Sequence, residues 1–78
     1  MNVLEIAAQV DARGLSCPMP IVKTAMAVKT APSGSLIEVF ATDPGSQRDF
    51  VAWCRSTGHD LVEHATVGTS FRFLIRVK

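Results

Sequence analysis

The chain has 78 residues, of which 47% are hydrophobic, and carries a formal net charge of +1. That length fits one small domain over 1–78, close to the size at which a single core only just suffices. Near-neutral charge without a basic run argues against direct nucleic-acid binding, and no apolar stretch approaches the roughly 20 residues of a membrane span.

Two cysteines are too few for a disulfide framework and point to a reducing compartment. The start, Met1-Asn2-Val3-Leu4-Glu5-Ile6, lacks the basic region of a signal peptide, so the cytoplasm is the expected location.

Residues Leu4 to Val10 alternate, with Leu4, Ile6, Ala8 and Val10 on one side, which predicts a strand with one buried face. From Pro18 to Thr30 the apolar residues Ile21, Val22, Ala25 and Val28 recur at helical spacing, with Lys23, Thr24 and Ala27 elsewhere. Ala31-Pro32-Ser33-Gly34 stops that helix. Leu36 to Ala41 reads as a second strand. Thr42-Asp43-Pro44-Gly45 predicts a second helix with Asp43 as N-cap and Pro44 at the first helical position.

Phe50, Trp53 and Cys54 form the apolar stripe of that helix, and Gly58 ends it. Leu61 to Val67 and Phe71 to Val77 read as two strands joined through Gly68-Thr69 in a hairpin. In the last strand Phe71, Phe73, Ile75 and Val77 share one side, Arg72, Arg76 and Lys78 the other, and Leu74 breaks the alternation. The order β-α-β-α-β-β, with charged or small polar residues on one face of each strand, predicts an α+β fold. Two helices would cover one sheet face and leave the other open in a two-layer sandwich.

Between the first strand and the first helix lies Gly14-Leu15-Ser16-Cys17-Pro18-Met19-Pro20. The first turn of a helix offers unpartnered N–H groups and the positive end of the macrodipole, and both stabilise a thiolate. With Pro18 as the first helical residue, Cys17 is the N-cap. Pro20 has no N–H, so only the Met19 amide can then address the sulfur. Met19 itself precedes a proline, which favours a later helix start at Pro20 with Cys17 further out in the loop. Both alternatives put the sulfur at a helix entrance and predict a lowered thiol pKa. A core-filling cysteine belongs at a periodic apolar position. Cys17 lies outside both flanking periods, whereas Cys54 lies on the buried stripe of the second helix and reads as core.

These residues carry a resemblance. Asp11-Ala12-Arg13-Gly14-Leu15-Ser16-Cys17-Pro18-Met19-Pro20 resembles the Cys-Pro-x-Pro signature of the TusA/SirA sulfur-carrier family. Thr42-Asp43-Pro44, Arg48-Asp49, Cys54 and the closing Phe71-Arg72-Phe73-Leu74-Ile75-Arg76 extend the likeness over nearly the whole chain.

The resemblance implies a fold like the C-terminal domain of bacterial translation initiation factor three. Its mixed four-stranded sheet has order 1-2-4-3, with the last strand antiparallel to the others. It also implies a sulfurtransferase acting as a relay carrier, with a persulfide on Cys17. Sulfur would come from a cysteine desulfurase or a rhodanese-type donor. It would pass to another sulfur-relay protein, for tRNA thiolation, cofactor synthesis or sulfur oxidation. Many relatives have an acidic residue between the two prolines, where this chain has Met19. An apolar, adaptable side chain there bears on partner choice.

Such a carrier needs no acid–base pair, because thiolates are good nucleophiles and good leaving groups. No cofactor is expected. Gly14, Pro18, Met19 and Pro20 shape the loop, and Arg13 and Lys23 are candidates to add positive field at the sulfur. Arg13, Met19, Lys23 and Arg48 are candidate docking contacts, each with an ordinary solvated surface role as the competing reading. The alternative function is a regulatory interaction module that binds a partner through the open sheet face at Arg72, Arg76 and Lys78. Cys54, His59 and His64 match no zinc-ligand spacing, so no metal is expected; His64 is placed on the open face. The polar sheet face makes a monomer the expected state.

Overall fold

The computed structural model describes residues 6–78, so Leu4 and Glu5 of the first predicted strand lie outside the described residues. The elements follow in the expected order: β1 (Ile6–Ala12), α1 (Met19–Thr30), β2 (Leu36–Ala41), α2 (Ser46–Thr57), β3 (Asp60–Val67) and β4 (Ser70–Arg76). The sheet order is β1-β2-β4-β3. β1 and β2 run parallel, and β4 is antiparallel to both β2 and β3. Both the element order and the strand order are those expected.

Alternation places the core on one face of this sheet. Val10 and Ala12 of β1, Ile37, Val39 and Ala41 of β2, and Phe73 and Ile75 of β4 bury themselves against Phe50 and Cys54 of α2. Phe50 stacks on Phe73 with ring centroids 4.5 Å apart and meets Trp53 edge-on at 6.2 Å, so aromatic geometry fixes where α2 sits. Gly58, at φ 87°, ends α2 in the left-handed conformation, and its N–H donates to the Cys54 carbonyl at 2.9 Å.

α1 is turned relative to its predicted stripe. Val22 is 40% exposed, while Thr24 is 0% exposed and Ala27 packs against the core. The buried face runs through Pro20, Ile21, Thr24, Ala27 and Val28. Thr24 can lie there because its hydroxyl donates to the Pro20 carbonyl at 2.8 Å, leaving its methyl to pack. α2 starts later than expected. The Ser46 N–H donates to the Asp43 carbonyl at 3.0 Å and closes a turn. Pro44 and Gly45 therefore belong to that turn, Gly45 takes the cap position, and Asp43 is not the N-cap.

The open face carries a polar strip across all four strands. Gln9 Nε2 donates to Glu38 Oε1 at 2.7 Å, Arg72 Nε donates to Glu38 Oε2 at 2.5 Å, and Arg72 lies 3.8 Å from Glu63. Leu74, opposite Glu38 in the ladder, is buried on this same face. Arg72 is thus committed to its own sheet, which removes one of the three cations expected to serve a partner there. His64 is also displaced from its expected place. The register shifts between Leu61 and Glu63, so His64 pairs with Phe73 and shares the helix-side face, although it remains exposed. A bulge of this kind flips every following side chain.

Candidate functional site at the start of the first helix

Because β1 and β2 are parallel neighbours, the loops leading into α1 and α2 leave the sheet at the same edge, beside the paired ends Ala12 and Ala41. Topology therefore brings two helix entrances together. The β1–α1 loop begins with a turn in which the Leu15 N–H donates to the Ala12 carbonyl at 3.3 Å. Gly14 sits in it at φ 81°, a conformation other residues rarely adopt. The Gly14 N–H donates to Thr42 Oγ1 at 2.8 Å, tying this loop to the one that follows β2.

Cys17 is held outward by anchors on both sides. Leu15 packs against the core and Pro20 is buried, while Cys17, Pro18 and Met19 between them are exposed. Met19, two residues after Cys17, is 46% exposed. α1 starts between the two expected positions, with Pro18 at the cap and Met19 as the first helical residue. Cys17 is therefore not the N-cap. The Met19 N–H donates to the Ser16 carbonyl at 2.9 Å, not to the Cys17 sulfur.

The electrostatics differ from the expectation as well. The Cys17 thiol lies above its usual range, not below it. The leading cause is a hydrogen bond with the Asp49 carboxylate, followed by desolvation and the negative charges of Asp49 and Asp43. Asp49 belongs to the first turn of α2, where a carboxylate suits the helix dipole. Its N–H donates to the Gly45 carbonyl at 3.0 Å. A Cβ placed on Gly45 would lie 3.4 Å from Asp43 Oδ2 and 3.6 Å from Asp49 Oδ2, so both carboxylates converge over that glycine.

The cations expected near the sulfur are engaged elsewhere. Arg13 Nε donates to Asp11 Oδ1 at 2.8 Å, and the guanidinium lies 5.6 Å from the centroid of the Phe40 ring. This pairing draws the Asp11 carboxyl down to about 2. Lys23 Nζ donates to the Asp11 carbonyl at 2.8 Å. Neither cation is among the causes acting on Cys17, so the expected positive field is not supplied. Arg48 is exposed in the first turn of α2, next to Asp49 in the chain.

Cys54 contrasts with Cys17 throughout. It is 4% exposed within the core, and burial pushes its thiol up to about 11. His59 stacks beside Trp53 at 5.3 Å and accepts the Lys78 N–H on Nδ1 at 3.0 Å, which gives it a structural place. The structure thus groups Cys17 with Met19, Asp43 and Asp49, and groups Arg13 with Lys23 around Asp11. Asp49 and Asp43 are the site residues that sequence reasoning missed. The available signal was the parallel β1–β2 pairing, which forces the two helix entrances to be neighbours.

A four-stranded mixed sheet with two helices on one face, and one exposed cysteine at a proline-flanked helix entrance, defines a class of small thiol-bearing α/β sandwiches. The sequence pattern of the family described as Sulfurtransferase TusA matches residues 8–77. A putative sulfur carrier protein, YrkI, from Bacillus subtilis is 48% identical over 66 residues, covering 85% of this chain and 88% of that protein. The sulfur carrier protein TusA of Allochromatium vinosum is 43% identical over 68 residues, covering 87% of this chain and 90% of that one. In fold, the chain is similar to the crystal structure of a SirA-like protein from Desulfitobacterium hafniense. The TM-score is 0.77 at 18% identity, over 88% of this chain and 95% of that one. The chain belongs to the TusA family of sulfur carriers.

Proposed function

We propose that the protein carries sulfane sulfur as a persulfide on Cys17 and relays it between partner proteins. The observation that carries this reading is the contrast between an exposed thiol, braced outward by Leu15 and Pro20, and a second thiol sealed in the core. The names of the relatives, sulfur carrier proteins, support it.

In loading, the Cys17 sulfur attacks the outer sulfur of a donor persulfide. The new S–S bond forms as the donor's own S–S bond breaks, and the donor leaves as a thiolate. The acceptor's thiolate then removes the outer sulfur in the same way and restores Cys17. Donors are a cysteine desulfurase or a rhodanese-type protein, and the acceptor is a further sulfur-relay protein. The process serves tRNA thiolation, cofactor synthesis or sulfur oxidation in the cytoplasm, with the chain acting as a monomer. Among the described residues no helix is long and apolar enough to cross a membrane.

Docking brings each partner onto Cys17 in turn, and Met19 and Arg48 are the exposed side chains best placed to meet it. The test is intact-protein mass after incubation with a cysteine desulfurase, pyridoxal phosphate and cysteine, and separately with a rhodanese and thiosulfate. A gain of one sulfur (~32 Da) that reductant reverses is the expected result, and Cys17→Ser abolishes it while the fold persists. Full loading of the Cys17→Ser variant, or no gain from either donor, contradicts the proposal and leaves the interaction-module reading.

A further inference from the structure

One side of α1 is turned inward, through Pro20, Ile21, Thr24, Ala27 and Val28. The opposite side holds Met19, Val22 and Met26, at a spacing that puts residues on one helical face. All three are exposed, and Met26 at 64% is the most exposed large apolar side chain among the described residues. Single apolar residues are ordinary on a protein surface, whereas an aligned stripe marks a place for contact. The other exposed ones do not line up with it: Val51 is alone on α2, and Val62 and Val67 lie on the edge strand β3. The α1 stripe begins two residues after Cys17 and runs about 10 Å along the helix.

Charge singles out the same surface. By helical spacing Lys23 and Lys29 flank the stripe on its two sides, and α1 has no acidic residue. Arg48 and Arg55 are exposed on α2, where Asp49 is the one carboxylate. Among the described residues none of these four cations forms an ion pair. Lys23 donates to a backbone carbonyl and keeps its charge. On the open sheet face, by contrast, Glu38 and Glu63 both meet Arg72. The helix layer is therefore positive although the whole chain carries only +1.

We infer that the stripe of Met19, Val22 and Met26, between Lys23 and Lys29, is the docking face for the protein that exchanges sulfur with Cys17. That partner meets it with an apolar patch edged by carboxylates. The inference rests on the persulfide reading above and adds the partner's chemistry to it. A partner must bring its own sulfur into bonding distance of Cys17, so its surface covers the surroundings of that residue. The stripe is the apolar part of those surroundings. Methionine side chains adapt to more than one surface, so one face serves donor and acceptor in turn. The lysines steer an acidic partner and set its orientation, and so short a stripe keeps the complex weak enough to separate.

The test compares rates of sulfur loading, read by intact mass, from two kinds of donor. One is the protein donor that loads the wild type, desulfurase or rhodanese. The other is glutathione persulfide, which is too small to need a docking face. Val22→Glu, Met26→Glu and Lys29→Glu place a good helix former at exposed positions, so α1 persists. Each should load severalfold more slowly from the protein donor and at the wild-type rate from glutathione persulfide. Val67→Glu, at a similarly exposed apolar position on β3, should load normally from both. Added salt should slow the protein donor more with the wild type than with Lys29→Glu. Protein-donor loading unchanged in all three α1 variants, or slowed equally with both donors while native circular dichroism persists, overturns the inference. So does binding of tRNA that Lys29→Glu removes while loading stays normal, which would assign the face to nucleic acid. Should one variant unfold, the other two decide by the same criterion. No wild-type gain from either protein donor contradicts the carrier reading itself, a result distinct from a wild type and variants that load alike.

Discussion

The two cysteines occupy opposite environments, yet both are held toward the protonated form. Cys54 is enclosed by the core, and its thiol is pushed up to about 11, mainly because burial disfavours the charged form. Cys17 is exposed at the α1 entrance, and its thiol is raised mainly by hydrogen bonding with Asp49, with desolvation and the charges of Asp49 and Asp43 adding to it. Exposure alone therefore does not lower the thiol pKa here. Suppression by burial lasts as long as the fold does. Suppression by a surface carboxylate depends on that carboxylate's charge.

The largest expected difference between the two regions is in sulfur loading. Cys17→Ser should lose it entirely while keeping the wild-type urea midpoint, and Cys54→Ala should load as the wild type does; intact mass and urea denaturation check the pair together. Next is stability. Cys54→Ser places a hydroxyl in an apolar core and should cost about 1–3 kcal/mol in urea unfolding, whereas Cys17→Ser lies at an exposed position and should stay within about 0.5 kcal/mol.

The smallest effect is in alkali. The folded Cys54 pKa is above its ordinary value of 9.0, at about 11. Its contribution to stability is therefore complete below pH 9 and falls as pH rises from 9 toward 11, because there the unfolded chain releases a proton that the folded chain retains. In a Cys17→Ser background, which removes the other raised thiol, unfolding free energy should decline across that window. The added Cys54→Ala change should flatten the decline, and equal slopes in both proteins would contradict the assignment.

Element order and most of the strand pattern were legible from periodicity, and Leu36–Ala41 was predicted with its observed bounds. The strand order followed from the family resemblance. What escaped the sequence has particular causes. Thr24 counted as polar, but its hydroxyl is satisfied within its own helix, so it packs as an apolar residue. The β3 irregularity between Leu61 and Glu63 leaves no mark in the alternation, yet it moves His64 to the other face. Asp43-Pro44 looked like a helix start because Asp and Pro favour those positions; the turn closed by the Ser46 N–H uses the same residues.

At the site, Cys17 and its prolines could be singled out because they interrupt both flanking periods. The carboxylates that raise its thiol pKa could not, because Asp43 and Asp49 are far from Cys17 in the chain and belong to a helix entrance made its neighbour by the parallel pairing of β1 and β2. Arg13 and Lys23 were placed near the sulfur by proximity in sequence alone, and their attachment to Asp11 is a matter of side-chain geometry.

The most direct test of sulfur carriage on Cys17 is to locate the sulfur after loading. Cleavage after Arg13 and Lys23 releases residues 14–23 with Cys17, and cleavage after Arg48 and Arg55 releases residues 49–55 with Cys54. After loading by a desulfurase and alkylation of the persulfide, the account predicts the added sulfur (~32 Da) on the first peptide and none on the second. Added sulfur on the second peptide, or on neither, would contradict it.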